Sequence, residues 1–145
     1  MNPPYNRVVR LPFTVLAVLF LFATTSCSTK LKFANSTVVP AAQGSVKISK
    51  DDNGNYELDL NILHLTEPSR LSPSKELYVI WMETENNGTK NIGKLKSETG
   101  FFSSTLKASF HTVTSFRPKR IFLTAENNAE IQSPGPQVVL TTNSR

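Results

Sequence analysis

Beyond residue 44 the chain alternates apolar and polar positions in short runs. Val46 and Ile48 are flanked by Lys47 and Ser49, and Tyr56, Leu58, Leu60 and Ile62 are interleaved with Glu57, Asp59 and Asn61. A period of two gives an extended segment one apolar and one polar face, so each run reads as a half-buried strand. Leu106, Ala108 and Phe110 repeat the pattern, as do Ile121, Leu123 and Ala125, then Val138 and Leu140. The run LYVIWM at 77–82 differs, being apolar on both parities. It predicts a central strand covered on both faces, with Trp81 packed between two sheets. Asn, Gly, Pro and Ser separate the runs at intervals of roughly ten, the spacing of a sandwich or barrel. No helical stripe interrupts them. The expectation is an all-β protein: one antiparallel β-sandwich of immunoglobulin-like type, with about seven strands over residues 44–143.

The turns carry their own signals. DDNGN at 51–55 and NNG at 86–88 each place Asn-Gly between two strand runs, a pair suited to the positive φ angles of a tight hairpin. Ile92 and Leu95 fall on opposite parities, which a bulge at Gly93 reconciles by returning both to the core face. A further turn is expected at 98–100. NNAEIQSPGP at 127–136 contains Pro134-Gly135-Pro136 and is expected to cross one end of the sandwich as a long polar connection.

The amino-terminal pattern is of another kind. Arg7 and Arg10 precede an uncharged run from 11 to 22, then Ala-Thr-Thr-Ser leads to Cys27, the chain's one cysteine. This is a secretory signal, and its apolar run is shorter than the roughly twenty residues a spanning helix needs. It resembles a bacterial lipoprotein signal, with Thr24 where such signals usually carry an aliphatic residue. The reading is a signal peptide over 1–26, then an acylated Cys27 at the head of a flexible tether over 27–43; Val38 and Val39 are a possible first edge strand. A secreted soluble protein and an uncleaved anchor helix are the alternatives. Lipidation implies a cell-envelope location and a mature domain with no disulfide.

Composition and charge narrow the chemistry. The 16 basic residues less Arg7 and Arg10, set against 11 acidic ones, leave a mature charge of +3. Those cations are scattered among acids, so a nucleic-acid partner is not expected. The 117–120 run, RPKR, reads as a charged lead into an exposed strand. GTKNIGK at 88–94 looks like a phosphate loop, yet Leu95 stands where Ser or Thr must hold magnesium, and no helix pattern follows. Residues 51–55 lack the glycine and glutamate spacing of a calcium loop. His64 lies near a strand end and His111 beside a turn, and neither sits in a metal-binding or hydrolase motif. The expectation is therefore no catalysis, no metal, no cofactor and no nucleotide.

Two separated stretches carry a resemblance. ELYVIWMETENNGTKNIGKL is similar to the Tyr-x-x-Trp strand, hairpin and Ile-Gly-x-Leu strand of the extracytoplasmic C-terminal domain of anti-sigma-K factors. FRPKRIFLTAENNAEIQSPGPQVVL resembles that domain's last strands. The resemblance implies structural roles for Tyr78, Trp81, Gly93, Leu95, Glu126 and Pro134, and supplies no catalytic or metal residue. It implies the fold and the location, and not the cytoplasmic binding of a sigma factor. The functional expectation is a lipid-anchored domain that binds another envelope protein by an exposed sheet edge or its end loops. The alternative is a small-ligand or glycan module using Phe101, Phe102 and Phe116.

Overall fold

The computed structural model describes residues 28–95 and 107–143. The signal segment and Cys27 lie outside the described residues, as do the turn expected at 98–100, Phe101, Phe102 and Leu106. The described chain is all-β, with eight strands: β1 (Thr29–Lys32), β2 (Gln43–Lys50), β3 (Tyr56–Leu63), β4 (Leu77–Thr84), β5 (Thr89–Leu95), β6 (Lys107–Thr114), β7 (Pro118–Glu126) and β8 (Val138–Thr141). Sheet I has the order β1-β2-β3-β6 and sheet II the order β5-β4-β7-β8, and every pairing is antiparallel. The chain crosses between sheets three times, after β3, after β5 and after β6, so β3 pairs with β6 in one sheet while β4 pairs with β7 in the other.

The alternating runs behave as their parity predicts. Val46, Ile48, Leu58, Leu60, Ile62 and Ala108 point inward from sheet I; Tyr78, Ile80, Met82, Leu95, Ile121, Leu123 and Leu140 meet them from sheet II. Each fully buried aliphatic side chain of this kind contributes about 1.5–3 kcal/mol, which is how a cysteine-free domain of this size is held together.

Residues 28–43 depart from the expected tether. β1 pairs with β2 in register Thr29↔Ile48 to Lys32↔Ser45. The following segment is packed down as well: Ser36, Val39 and Ala42 are buried. The Ser36 hydroxyl donates to the Val139 carbonyl and accepts the Val39 amide at 2.9 Å. The Ala34 amide donates to the Thr141 carbonyl at 2.8 Å, and Phe33 bridges to Thr142. The sandwich is thus closed along its β1/β8 side. The alternation Lys30, Leu31, Lys32, Phe33 is a strand signal only four residues long, and the buried part after it has no period because it is a loop. Val38 and Val39 belong to that loop and not to a strand.

Both Asn-Gly turns are hairpins, with a different backbone from the one expected. Only the glycines take positive φ, 81° at Gly54 and 68° at Gly88. In the first, the Gly54 amide donates to the Asp51 carbonyl at 3.0 Å, a type I turn closed by a left-handed glycine. Asp51 fixes it by accepting the amides of Asn53 and Asn55 at 2.9 and 2.7 Å. The Asn55 side chain and these amides hold the Asp51 carboxyl below its usual pKa.

Candidate functional site

The residues singled out by the resemblance converge on sheet II and the connection that covers it. Trp81 is fully buried, but not between the sheets: Val79 and Trp81 face outward from sheet II, where they form a second apolar cluster with Phe122, flanked by Leu77 and Ile131. Its ring stacks on Phe122 with centroids 6.4 Å apart, and its indole N–H donates to Thr124 Oγ1 at 2.8 Å. The covering layer over Trp81 includes the 127–137 connection, which contributes Ile131. Tyr78, three positions earlier, points into the main core and donates its hydroxyl to the Thr66 carbonyl at 2.6 Å. Burial pushes its pKa up to about 12.

Glu126 and Asn91 hold that connection in place. Glu126 is 7% exposed at the end of β7, and its Oε1 accepts the Gly135 amide at 2.8 Å. A Cβ at Gly135 would lie 2.7 Å from either carboxylate oxygen, so the glycine is required by this close approach. Pro134, next to it, is exposed. At the other end of the connection, the Asn91 side-chain amide donates to the carbonyls of Ala129 and Ile131 at 2.8 and 3.1 Å.

Gly93 and Leu95 shape β5. Ile80 pairs with Gly93 and Trp81 with Asn91, so Ile92 is the extra residue of a bulge. The bulge returns Leu95 to the core and lays Ile92 against it, as the parity clash requires. Gly93 has φ 149°, and a Cβ there would stand 2.6 Å from Cζ of Phe110 on β6. The Phe110 ring fills the space a side chain would need.

Together these elements form an open groove of about 730 Å³. One side is residues 89–94, on an edge strand of sheet II; the other is Ala129, Glu130 and Gln132. Lys94 is exposed there and has no ion pair among the described residues. Among the described residues no strand pairs with the outer edge of β5, and an edge strand presents backbone N–H and C=O groups; the Gly93 amide is given to Asn91 Oδ1, at 3.1 Å, and the groove sets the rest of this edge beside a fixed wall. The sequence does not mark Asn91, and it marks Gly135 only as part of Pro-Gly-Pro, because a side-chain bond to a backbone atom carries no periodic signal.

The remaining chemical candidates stay apart. Residues 89–95 are strand, so no helix terminus stands behind the apparent phosphate loop. His111 lies in the middle of β6, not beside a turn, with Nδ1 2.6 Å from Oδ1 of its cross-strand neighbour Asp59. His64 is exposed, with φ 57°, just past the end of β3. Among the described residues no three His, Cys, Asp or Glu side chains gather into a metal site. The basic run at 117–120 leads into β7, a buried inner strand and not an exposed one. Its cations pair with acids: Arg120 and Lys119 with Glu83 at 2.7 and 3.5 Å, and Arg117 with Glu85 at 3.5 Å. Phe116 packs against the core with Lys90 Nζ 4.2 Å above its ring. Comparison with protein-family models, curated proteins and solved structures gives no significant match.

Proposed function

We propose that this is a lipid-anchored cell-envelope domain that binds another protein without catalysis, by adding an extended segment of that protein to the edge of β5 that no described strand occupies. The observation carrying the reading is the groove itself: an edge strand walled by a connection that Asn91 and Glu126 clasp from two sides. Strand addition draws affinity from backbone hydrogen bonds and specificity from the side chains lining the groove. Lys94 favours a segment with an acidic side chain facing it. The bulge at 92–93 and the flanking lysines disfavour pairing between two copies of β5, as guarded edges do.

On the same reading the fold is immunoglobulin-like, with β3/β6 and β4/β7 as the interlocked pairs and β1 as an added outer strand. The likeness to the anti-sigma-K factor C-terminal domain fits the positions of Trp81, Gly93 and Glu126, which all serve the capped sheet, while the regulatory act lies outside the proposal. The glycan alternative is less well supported, since Phe116 is taken up by the core and by Lys90.

Two measurements test the proposal. Cys27→Ser should move the protein to the soluble fraction; a variant that still partitions with detergent ends the lipoprotein reading. Photo-crosslinking residues at Thr89 and Gln132 should capture a reproducible envelope protein in cells, while one at Ser45, on the outer face of sheet I, should not. Equal capture from all three positions, or none from the groove, overturns the assignment of the site.

A further inference from the structure

We infer that the hairpin end of the sandwich rests on the lipid headgroups, so that the domain is held at the membrane in one orientation. This rests on Cys27 being the point of attachment. One residue, Ser28, separates Cys27 from the first residue of β1, and two residues of extended chain span at most about 7 Å. Thr29 is paired with Ile48, near the end of β2. The 51–55 hairpin follows two residues beyond, at Lys50. Tyr56 pairs with Thr114, which brings the turn between β6 and β7 to this end. Thr84 pairs with Pro118 and its amide donates to the Gly88 carbonyl, which brings the turn between β4 and β5 there as well. Lys90 above Phe116 ties the two sheets together at the same place.

An acylated residue sits at the interface between hydrocarbon and headgroups. Chain length alone keeps Cys27 within about 7 Å of Thr29, which pairs with Ile48 near the hairpin end, so the attachment cannot lift the domain clear of the surface. A free tether of sixteen or so residues would allow a reach of about 20 Å and any orientation; β1 removes that freedom. The turn residues carry Lys50 and Arg117 against Asp51, Asp52 and Glu85, a nearly even balance. The contact is therefore imposed by the attachment and not by charge. At the far end, the segments around Val38, Leu71 and Pro136 surround an open cleft of about 810 Å³ that faces away from the bilayer.

The test uses the full, processed lipoprotein in vesicles. With Cys27 acylated, an introduced cysteine is the one free thiol, so a fluorophore is placed on Asn53→Cys or on Ala41→Cys, both exposed positions at opposite ends. Vesicles containing a headgroup-nitroxide lipid should quench the label at 53 several-fold more than the label at 41, at low and at high salt. Inserting about ten Gly/Ser residues after Ser28 should abolish that difference without detaching the protein. Protein that floats with the vesicles but is quenched equally at both ends overturns the orientation and leaves the anchor intact. Protein that does not float overturns the anchor, and the orientation with it.

Discussion

The outer faces of the two sheets are built from the same kind of alternating strand and end in opposite states. Sheet I turns Lys47, Asp59 and His111 outward in one cross-strand row, and they remain in solvent apart from one exposed His–Asp pair. Sheet II turns Val79, Trp81 and Phe122 outward and buries them beneath a connection. The difference is written in one strand. β2, β3 and β6 have one apolar parity, whereas β4 has two, and a strand with two apolar parities must find a second cover. In this fold the second cover includes an irregular loop and not another sheet, so the most apolar of the described strands also fixes a long, largely polar connection.

The strongest way to break the comparison is to remove the outer cluster. Trp81→Ala should cost about 3–5 kcal/mol in urea unfolding, since it empties a large buried site and leaves Thr124 Oγ1 without its donor. Hydrogen exchange in residues 127–137 should rise in the same variant. A loss under about 1 kcal/mol, with the connection still protected, means that the cluster does not hold the loop.

On the inner face of the same strand, Tyr78 gives a pH test. Its folded pKa is raised from 10.0 to about 12, so the neutral phenol is favoured by the fold. The stabilisation is complete below about pH 10, where the unfolded chain also keeps its proton. It is lost as pH rises from 10 to 12, by about 1–2 kcal/mol in all once solvent screening is allowed for. Tyr78→Phe should flatten that decline relative to the parent; an unchanged slope would place the titration elsewhere.

How far the sequence could be read follows from the same contrast. Period-two runs announced β2, β3, β6, β7 and β8, an unbroken apolar run announced β4, and the parity clash between Ile92 and Leu95 announced the bulge. β1 was too short for its alternation to outweigh the polar residues around it. The outward role of Trp81 was unreadable for a different reason: apolar parity states that a face is covered, but not by what. The clasps at Asn91 and Glu126 join residues 38 and 9 positions apart to backbone atoms, and a backbone partner leaves no mark in a sequence.

Where β5 meets β6, Gly93→Ala should cost about 1–3 kcal/mol, because its methyl must displace the Phe110 ring at a φ unfavourable to side chains. Gly93→Ala combined with Phe110→Leu should recover part of that loss; no recovery would assign the cost to backbone strain alone. The smallest effect is expected on the solvated face. His111→Ala and Asp59→Asn should each change stability by no more than about 0.5 kcal/mol, as exposed ion pairs do. A loss above about 1 kcal/mol from either would show that sheet I depends on its outer row as sheet II does.

The closure between β1 and β8 makes the first and last strands neighbours, with Ser36 bonded to a residue 103 positions away. A chain emerging from its amino end therefore cannot complete this side of the sandwich until the carboxyl end has arrived. High contact order of this kind slows folding and prolongs the exposure of unpaired strands. Translation halted before Val138 would leave β7 with a bare edge and Ala34 and Ser36 without their β8 acceptors, so a cell clearing truncated products would meet a partly folded chain with its apolar interior open on that side.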